Sequence, residues 1–257
     1  MNAIVEPLPR VSVPRIYALE SKHEFLRLLR APSFAVPTLL FPGMFYFLFA
    51  VLFVGHRAGD YHANVYLLAT YGVFGVMAPG LFGFGVSVAL DRERGWLTLK
   101  RAQPMPPGAY LASKLAMAML FAATIFATLA VLATTVGGVT LPLAAWLRLF
   151  AVEIFGVMPF CAIGLCIGTL VGGQAAPAVV NVIYLPMSFL SGLWMPLSVL
   201  PPAVAAIAPL WPAYHLGQLA LAAVGQPTDG ATPLHIAALA AVTIVFLAVA
   251  RRRLARA

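Results

Sequence analysis

The chain has 257 residues, of which 62% are hydrophobic and only 9% are charged. Charged residues make up roughly a quarter of a typical soluble domain, so this composition excludes a soluble globular protein and predicts an all-α integral membrane protein. The formal net charge of +8 would point to nucleic acid in a soluble domain. Basic residues gathered at the inner face of a membrane explain that charge without any nucleic acid partner.

Residues 1–33 are predicted to form a Pro-rich tail and an amphipathic helix. Between Pro14 and Arg30, isoleucine and leucine recur near helical spacing among charged residues. This pattern favours a helix that lies in the membrane interface, and an ordinary surface helix leading into the membrane explains it equally well. Both interpretations place the segment at the inner face. The segment does not have the apolar core and cleavage site of a removable signal peptide.

Residues 34–257 are predicted to form a single membrane domain with six transmembrane helices. A transmembrane helix needs about 20 predominantly apolar residues, and six stretches of the chain meet that requirement. The predicted spans lie near 34–56, 64–90, 110–136, 146–171, 177–198 and 233–250.

The distribution of basic residues predicts the orientation of these spans. If the N-terminus is inside, fourteen of the sixteen Lys and Arg residues face inward, and only Arg57 and Arg148 face outward. This bias follows the positive-inside rule and predicts that both termini are cytoplasmic. The basic C-terminal tail favours an even number of spans independently of hydropathy.

The loop between the second and third predicted spans, from Asp91 to Pro107, is the longest charged loop. Alternating charges are followed by a glycine, then by a short amphipathic stretch, and then by prolines that end it. A solvated loop would explain the basic residues but not the apolar side chains between them. The loop therefore predicts a short cytoplasmic helix that receives movement from a soluble partner. The residues assigned to this coupling role are Asp91, Glu93, Arg94, Gly95, Trp96, Leu97, Leu99, Lys100 and Arg101.

The stretch from Asn181 to Pro212 begins as an apolar segment and is then interrupted repeatedly by proline and glycine. A helix cannot pass proline unkinked, because proline lacks the amide proton and its ring strikes the preceding turn. In lipid, such breaks occur only where protein or a water-lined cavity satisfies the freed backbone groups. The stretch therefore predicts a spanning helix followed by a re-entrant or interfacial helical hairpin on the outer side.

Within the predicted spans, two polar or small-residue features stand out. Gly164, Gly168 and Gly172 recur at every fourth position and predict close helix packing, within the chain or between subunits. Glu153 is the carboxylate placed inside a predicted span, and a proton site, a substrate site and a residue satisfied by a nearby partner all stay open for it.

Several chemistries are not supported by any motif. The chain has no GxxxxGK[ST] sequence, so it is not expected to hold a nucleoside triphosphate through a P-loop of its own. Cys161 and Cys166 do not have the spacing of a metal site, and no metal site is predicted. No histidine or lysine is placed beside a serine in a way that indicates a catalytic residue.

These features together resemble a permease subunit of the ABC-2 family of ATP-binding-cassette exporters. The internal loop is similar to the family's coupling region, with Lys100 where arginine is common and aspartate where glutamate usually opens the loop. The matching residues are Asp91, Glu93, Arg94, Gly95, Leu97, Leu99, Pro104 and Lys114. The outward stretch resembles the family signature and implies an outer gate. Its matching residues are Asn181, Pro186, Phe189, Ser191, Gly192, Pro196, Pro201 and Pro209.

The resemblance implies a half-transporter without its motor. Two permease copies, identical or related, would pair in a bacterial cytoplasmic membrane, and two P-loop ATPase subunits would bind ATP and Mg and dock beneath them. The drug- and natural-product-exporting branch is the more similar one, and an amphipathic or lipophilic substrate suits the apolar spans. Two other functions stay open: a secondary transporter driven by an ion gradient, and a membrane scaffold or enzyme that transports nothing.

Overall fold

The computed structural model describes residues 12–54, 61–102, 105, 106 and 108–254. Arg57, Pro104 and the side chain of Arg101 lie outside the described part. Within it the chain forms helices joined by turns and contains no strand, which confirms the all-α prediction for these residues. We number the α-helices in chain order as α1 (Val13–Leu29), α2 (Pro32–Tyr46), α3 (Tyr61–Ala78), α4 (Ser87–Glu93), α5 (Trp96–Ala102), α6 (Ala109–Thr135), α7 (Leu143–Leu170), α8 (Ala176–Leu190), α9 (Pro202–Ile207), α10 (Pro212–Ala223) and α11 (Thr232–Leu254).

Helix α1 covers the predicted amphipathic helix. Pro14 lies in its first turn, where the missing amide proton has no intrahelical acceptor to lose. Ala31 precedes Pro32 and has extended backbone angles, so it separates α1 from α2. Helix α1 packs against α2 and α6. Its place in a membrane interface stays a prediction.

Five helices are long and apolar enough to cross a membrane, and each overlaps one of the predicted spans. They are Pro32–Ala50, His62–Glu93, Ala109–Thr135, Leu143–Leu170 and Thr232–Leu254. The second of these joins α3 and α4 through a π-helical stretch, Pro79–Val86. Pro79 has no amide proton for the helical ladder, and a locally widened helix accommodates that loss. In its most apolar window 83% of residues are buried, against 17% in α11, so this helix is central and α11 is peripheral.

The remaining predicted span, 177–198, is not a single long helix. Helix α8 has only 15 residues and ends at Leu190. Gly192, two residues later, adopts a positive φ of 76° that a continuing helix does not allow. Two 3₁₀ turns and the short helix α9 follow. The predicted count of six spans and the re-entrant hairpin are therefore not confirmed. Helix α10, which begins at Pro212, was not predicted.

The segment from α8 to α10 nevertheless runs from one end of the bundle to the other. The amide of Gly173, just before α8, donates a hydrogen bond to the carboxylate of Glu93 at the end of α4. The side chain of Gln226, just after α10, donates to the carbonyl oxygen of His62, 3.3 Å away, near the start of α3. His62 and Glu93 are the two ends of one helix of 32 residues. The short helices therefore cover the length of the central helix.

Helix α7 contacts the central helix through glycine. A Cβ atom on Gly164 would lie 2.5 Å from the carbonyl oxygen of Gly80, and one on Gly85 would lie 2.6 Å from that of Gly164. A Cβ atom on Gly168 would lie 2.5 Å from the carbonyl oxygen of Gly85. These are backbone-to-backbone contacts within the chain, of the kind that small residues permit in membranes. Gly172 lies beyond the end of α7.

We expect Gly164→Ala to destabilise the protein by about 1–3 kcal/mol, because a backbone carbonyl cannot move aside as a side chain can. Thermal unfolding of the purified protein in mild detergent measures this. Gly43→Ala is the matched control, because its new methyl group would meet the tip of the Leu132 side chain at 3.1 Å. An equal loss of stability in the two variants would contradict the backbone contact.

Candidate functional site

Four helices, α1, α4, α5 and α6, meet at one end of the bundle, which we call the basic end. Helix α4 ends at Glu93, and the chain turns at Gly95, whose φ is +73°. A Cβ atom there would have free space around it, so backbone conformation alone favours glycine. The carbonyl oxygen of Gly95 accepts hydrogen bonds from the amides of Thr98 and Leu99, which starts α5 directly after the turn.

Lys114, in the first turns of α6, is fully buried at this end. Its ammonium nitrogen lies 2.9 Å from Asp91 Oδ2, 3.3 Å from Glu24 Oε2 and 2.8 Å from Ser87 Oγ. A lysine ammonium has three donors, and here each of them has an oxygen acceptor. Glu24 lies on α1 and Asp91 on α4, so one side chain connects three helices.

Arg27 links the same two carboxylates from the α1 side. Its guanidinium lies 3.0 Å from Asp91 Oδ1 and 2.9 Å from Glu24 Oε2, and Tyr110 donates a hydrogen bond to Asp91 Oδ2 at 2.9 Å. Burial alone would lower the pKa of Arg27, but the carboxylates of Glu24 and Asp91 outweigh burial and raise it. Arg27 is therefore a permanent cation.

Lys100 of α5 contacts the carboxylates of α1. Its ammonium nitrogen lies 2.7 Å from Glu20 Oε2 and 3.9 Å from Glu24 Oε1, and it sits 5.3 Å from the centre of the Tyr110 ring. We call the six charged residues the ionic cluster: Glu20, Glu24, Arg27, Asp91, Lys100 and Lys114. Three carboxylates balance three cations, so the cluster is electrically neutral as a whole.

Two neighbouring side chains of α4 hold the end of α7. The guanidinium of Arg92 donates hydrogen bonds to the carbonyl oxygens of Thr169 and Val171, the second at 2.8 Å. The last carbonyl groups of a helix have no intrahelical donor, and a cation near them is favourable. Glu93 accepts a hydrogen bond from the amide of Gly173. The basic end thus connects α4 to α7 as well as to α1, α5 and α6.

The outward face of α5 is apolar. Trp96 is 41% exposed and Leu99 is 63% exposed, while Leu97 is half-buried. The guanidinium groups of Arg94 and Arg27 lie 5.9 and 6.0 Å from the centre of the Trp96 ring, which is within cation–π range. Exposed apolar side chains rimmed by charge are typical of a surface that contacts another protein.

Sequence reasoning identified the α4–α5 half of the basic end and, through the family resemblance, Lys114 of α6, but not the residues of α1 that face them. Asp91 and Lys100 belong to the ionic cluster, and Glu93, Arg94 and Gly95 lie beside it. In the sequence pattern Glu24 is one of several charged residues on an amphipathic helix, which predicts an exposed side chain. In the structure it is buried, with only 4% of its surface exposed. Only the tertiary contact distinguishes it from Glu20.

At the opposite end of the bundle, the chain turns directly after α8, from Ser191 to Trp194. We call this segment the fastened turn; it contains two of the predicted gate residues, Ser191 and Gly192. Tyr66 and Tyr71 of α3 donate hydrogen bonds to the carbonyl oxygens of Gly192 and Trp194, at 2.6 and 3.3 Å. Ser191 is buried, and Phe189 packs edge-on against the Trp194 ring at 6.4 Å. The other gate residues are placed as follows: Asn181 and Pro186 on α8, Pro196 after the turn, Pro201 before α9, and Pro209 in the second 3₁₀ turn.

Two histidines attach that last turn to α11. The Nδ1 atoms of His215 and His235 lie 2.9 Å apart. Their Nε2 atoms lie 2.9 Å from the carbonyl oxygen of Pro209 and 2.7 Å from that of Asp229, respectively.

An aromatic cavity of about 420 Å³ lies between α2, α3 and α8. Phe45, Phe74 and Trp194 pack around it with ring centres 5.5 to 5.8 Å apart, and Asn181 contributes a polar group to its lining. The cavity begins beside the fastened turn. It can hold an apolar or amphipathic group next to a few polar atoms.

Glu153 of α7 is fully buried, and neither of its carboxyl oxygens has a hydrogen-bond partner among the described residues. It lies against Gly72 of α3, where a side chain on residue 72 would collide with the carboxyl group. The nearby partner that the sequence left open is thus not observed for this carboxyl group. The described residues contain no cluster of His, Cys, Asp and Glu suited to a metal ion.

Two comparisons with known proteins bear on this arrangement. Residues 18–224 match the family described as ABC-2 type transporter. A protein of Bacillus subtilis (strain 168) named "Putative transport permease YvfS" is 27% identical over 212 residues, which are 81% of this chain and 86% of that protein. The region that matches the family, residues 18–224, includes the ionic cluster, α5, the fastened turn and the aromatic cavity.

We expect Lys114→Met to destabilise the protein by about 3–5 kcal/mol, because it leaves Asp91 and Glu24 buried without their shared ammonium. The yield of monodisperse protein in detergent and its thermal midpoint measure this loss. Lys22→Met removes the same charge from an exposed position on α1 and should change neither quantity. Normal stability of Lys114→Met would show that Arg27 alone satisfies both carboxylates.

Proposed function

The chain belongs to the ABC-2 type transporter family, and from this we propose that it is the permease subunit of an exporter driven by a separate P-loop ATPase. Two permease copies, identical or related, form the path, and two ATPase subunits bind ATP and Mg beneath them. The complex lies in a bacterial cytoplasmic membrane with both permease termini in the cytoplasm. The exported substrate is amphipathic or lipophilic, of the kind found among drugs, natural products and lipid-like molecules.

The observation that carries this proposal is the outward face of α5 above the ionic cluster. Trp96 and Leu99 give a soluble partner an apolar contact. Lys100, one turn along, is paired with Glu20 of α1. A partner that moves α5 therefore moves α1 with it, and through Asp91 and Lys114 it acts on α4 and α6. Movement of α4 reaches α7 through Arg92 and Glu93.

The substrate path is proposed to include the aromatic cavity between α2, α3 and α8. Its rings favour apolar parts of a substrate, and Asn181 gives it a polar group near one side. Gly192 lies at the hinge between α8 and the short helices, and the hydroxyl group of Tyr66 holds it closed by one hydrogen bond. Release of that bond would allow the outer turn to open.

The even number of crossings that the orientation requires is proposed to come from α8 to α10 acting together as the sixth. Support comes from the hydrogen bonds at the two ends of this segment, to Glu93 and to His62, which lie at opposite ends of the central helix. The broken backbone in between is compatible with a membrane, because α3, α7 and α11 pack against α10.

A secondary transporter driven by an ion gradient is the second candidate, and one observation favours it. Glu153 is a buried intramembrane carboxyl group with no protein partner among the described residues, which is a common property of ion-coupling sites. In that case the purified chain alone would transport, and Glu153→Gln would abolish ion coupling.

Purification of the tagged chain from its native host in mild detergent tests the proposal. We expect a P-loop ATPase to accompany the wild-type permease, and Leu99→Asp to reduce its recovery by about tenfold, because a charge is placed in an apolar contact. Leu143→Asp is the control: Leu143 is similarly exposed, at 72% against 63%, but lies at the other end of the bundle. Recovery of the permease alone from wild-type cells would contradict the proposal and favour the second candidate.

We expect Lys100→Glu to leave the permease folded but to uncouple ATP hydrolysis from transport. The Lys100–Glu20 pair is partly exposed, so its contribution to stability is about 1 kcal/mol or less. Its loss, however, breaks the direct link between α5 and α1. The measurements are ATPase activity and substrate transport in vesicles containing the complex.

The double variant Glu20→Lys/Lys100→Glu restores opposite charges in reversed order and should recover part of the coupling. If the double variant transports no better than Lys100→Glu alone, the ion pair does not carry the movement. Full transport by Lys100→Glu would have the same meaning.

A further inference from the structure

A groove at the basic end separates α11 from α6 and α7. It has a volume of about 940 Å³ and is lined by apolar side chains from all three helices, among them Leu111, Leu165, Leu247 and Ala248. Arg251 and Arg252 add two cationic side chains to its lining. We call this cavity the α11 groove.

The α11 groove continues along the helix toward the opposite end of the bundle. A second apolar groove of about 780 Å³ lies between α7, α10 and α11, and the two share Ile244 in their lining. Ile244 is 66% exposed, and Val245 beside it is 57% exposed. Helix α11 therefore packs against the bundle with only part of its surface. In a membrane, hydrocarbon chains rather than water fill such a space.

Arg251 and Arg252 of the groove have no carboxylate partner in the part of the chain that the structure describes. None of the ion pairs among the described residues includes Arg251 or Arg252, and both side chains are exposed. Ala250, the residue before them, is fully buried, so the two guanidinium groups lie directly where α11 leaves the apolar core. The planar guanidinium group forms paired hydrogen bonds with phosphate oxygens.

We propose that the α11 groove binds one anionic phospholipid. Its acyl chains lie against Leu111, Leu165 and Leu247, and its phosphate lies between Arg251 and Arg252. Basic pockets between transmembrane helices at the cytoplasmic side recognise anionic headgroups through the same combination of charge and hydrocarbon contact. The site involves neither α5 nor the aromatic cavity, so it stands or falls independently of the proposed transport function.

Native mass spectrometry of the full-length protein in mild detergent tests this site, with phosphatidylglycerol and phosphatidylcholine of identical chains as probes. We expect one phosphatidylglycerol molecule to bind about tenfold more tightly than phosphatidylcholine, a difference of about 1.4 kcal/mol. Arg251→Gln and Arg252→Gln should each remove most of that preference. Arg253→Gln is the matched control, because it removes the same charge from the next residue, which does not line the groove.

Two further arms separate the groove from general attraction between charges. Ala248→Trp fills the groove and should weaken the binding of both lipids, while its thermal midpoint without added lipid stays at the wild-type value. Glycerol 3-phosphate carries the phosphate without acyl chains and should not displace the bound lipid.

Three results would overturn the site. Equal affinity for the two lipids would show that the arginines do not select an anionic headgroup. An equal effect of Arg253→Gln would show that only total charge matters. Undiminished binding to Ala248→Trp would show that the lipid lies elsewhere.

Discussion

A lysine ammonium enclosed by protein must be surrounded by oxygen acceptors, and the basic end of this bundle is arranged to meet that requirement at Lys114. The acceptors come from α1 and α4 and the lysine itself from α6, so the position of each of these helices depends on the other two. Arg27 balances the second negative charge that Lys114 leaves. Without that balance, an unpaired charge would remain inside the bundle at a cost of several kcal/mol. The cluster therefore determines where α5, the exposed helix after the Gly95 turn, sits relative to the spans.

The contact between α7 and the central helix complements this arrangement. Gly164 and Gly168 bring the two backbones together at van der Waals distance, and Arg92 and Glu93 then hold the end of α7. Lipid gives little hydrophobic drive for helices to associate, so close packing and a few buried polar bonds must supply it. In the proposed transporter this makes α4 and α7 move together. Helix α11 is more exposed than the central helix, and two apolar grooves lie beside it.

In the segment after α8, the backbone groups that the helix break leaves unpaired need hydrogen-bond partners. Its prolines and Gly192 break the helix, which leaves backbone groups that cannot remain unpaired in lipid. Tyr66 and Tyr71 bond two of these carbonyl groups, and His215 bonds that of Pro209. A turn held by a few side-chain hydrogen bonds is easier to open than a continuous helix, in which every backbone group is paired along the axis. This property suits the gate role proposed for it.

The sequence by itself determined the membrane class, the five long helices, the amphipathic N-terminal helix and the family, because apolar run length, charge distribution and short motifs are local properties of the chain. It did not determine that α8 ends after 15 residues, since an apolar run does not reveal the positive φ of Gly192. Nor did it separate Glu24 from Glu20 on α1. The partners of Glu24 are Arg27, one turn along the same helix, and two distant lysines, Lys100 and Lys114, the second of which is 90 positions away. Which charges are buried depends on contacts between distant segments, and only the tertiary structure decides those contacts.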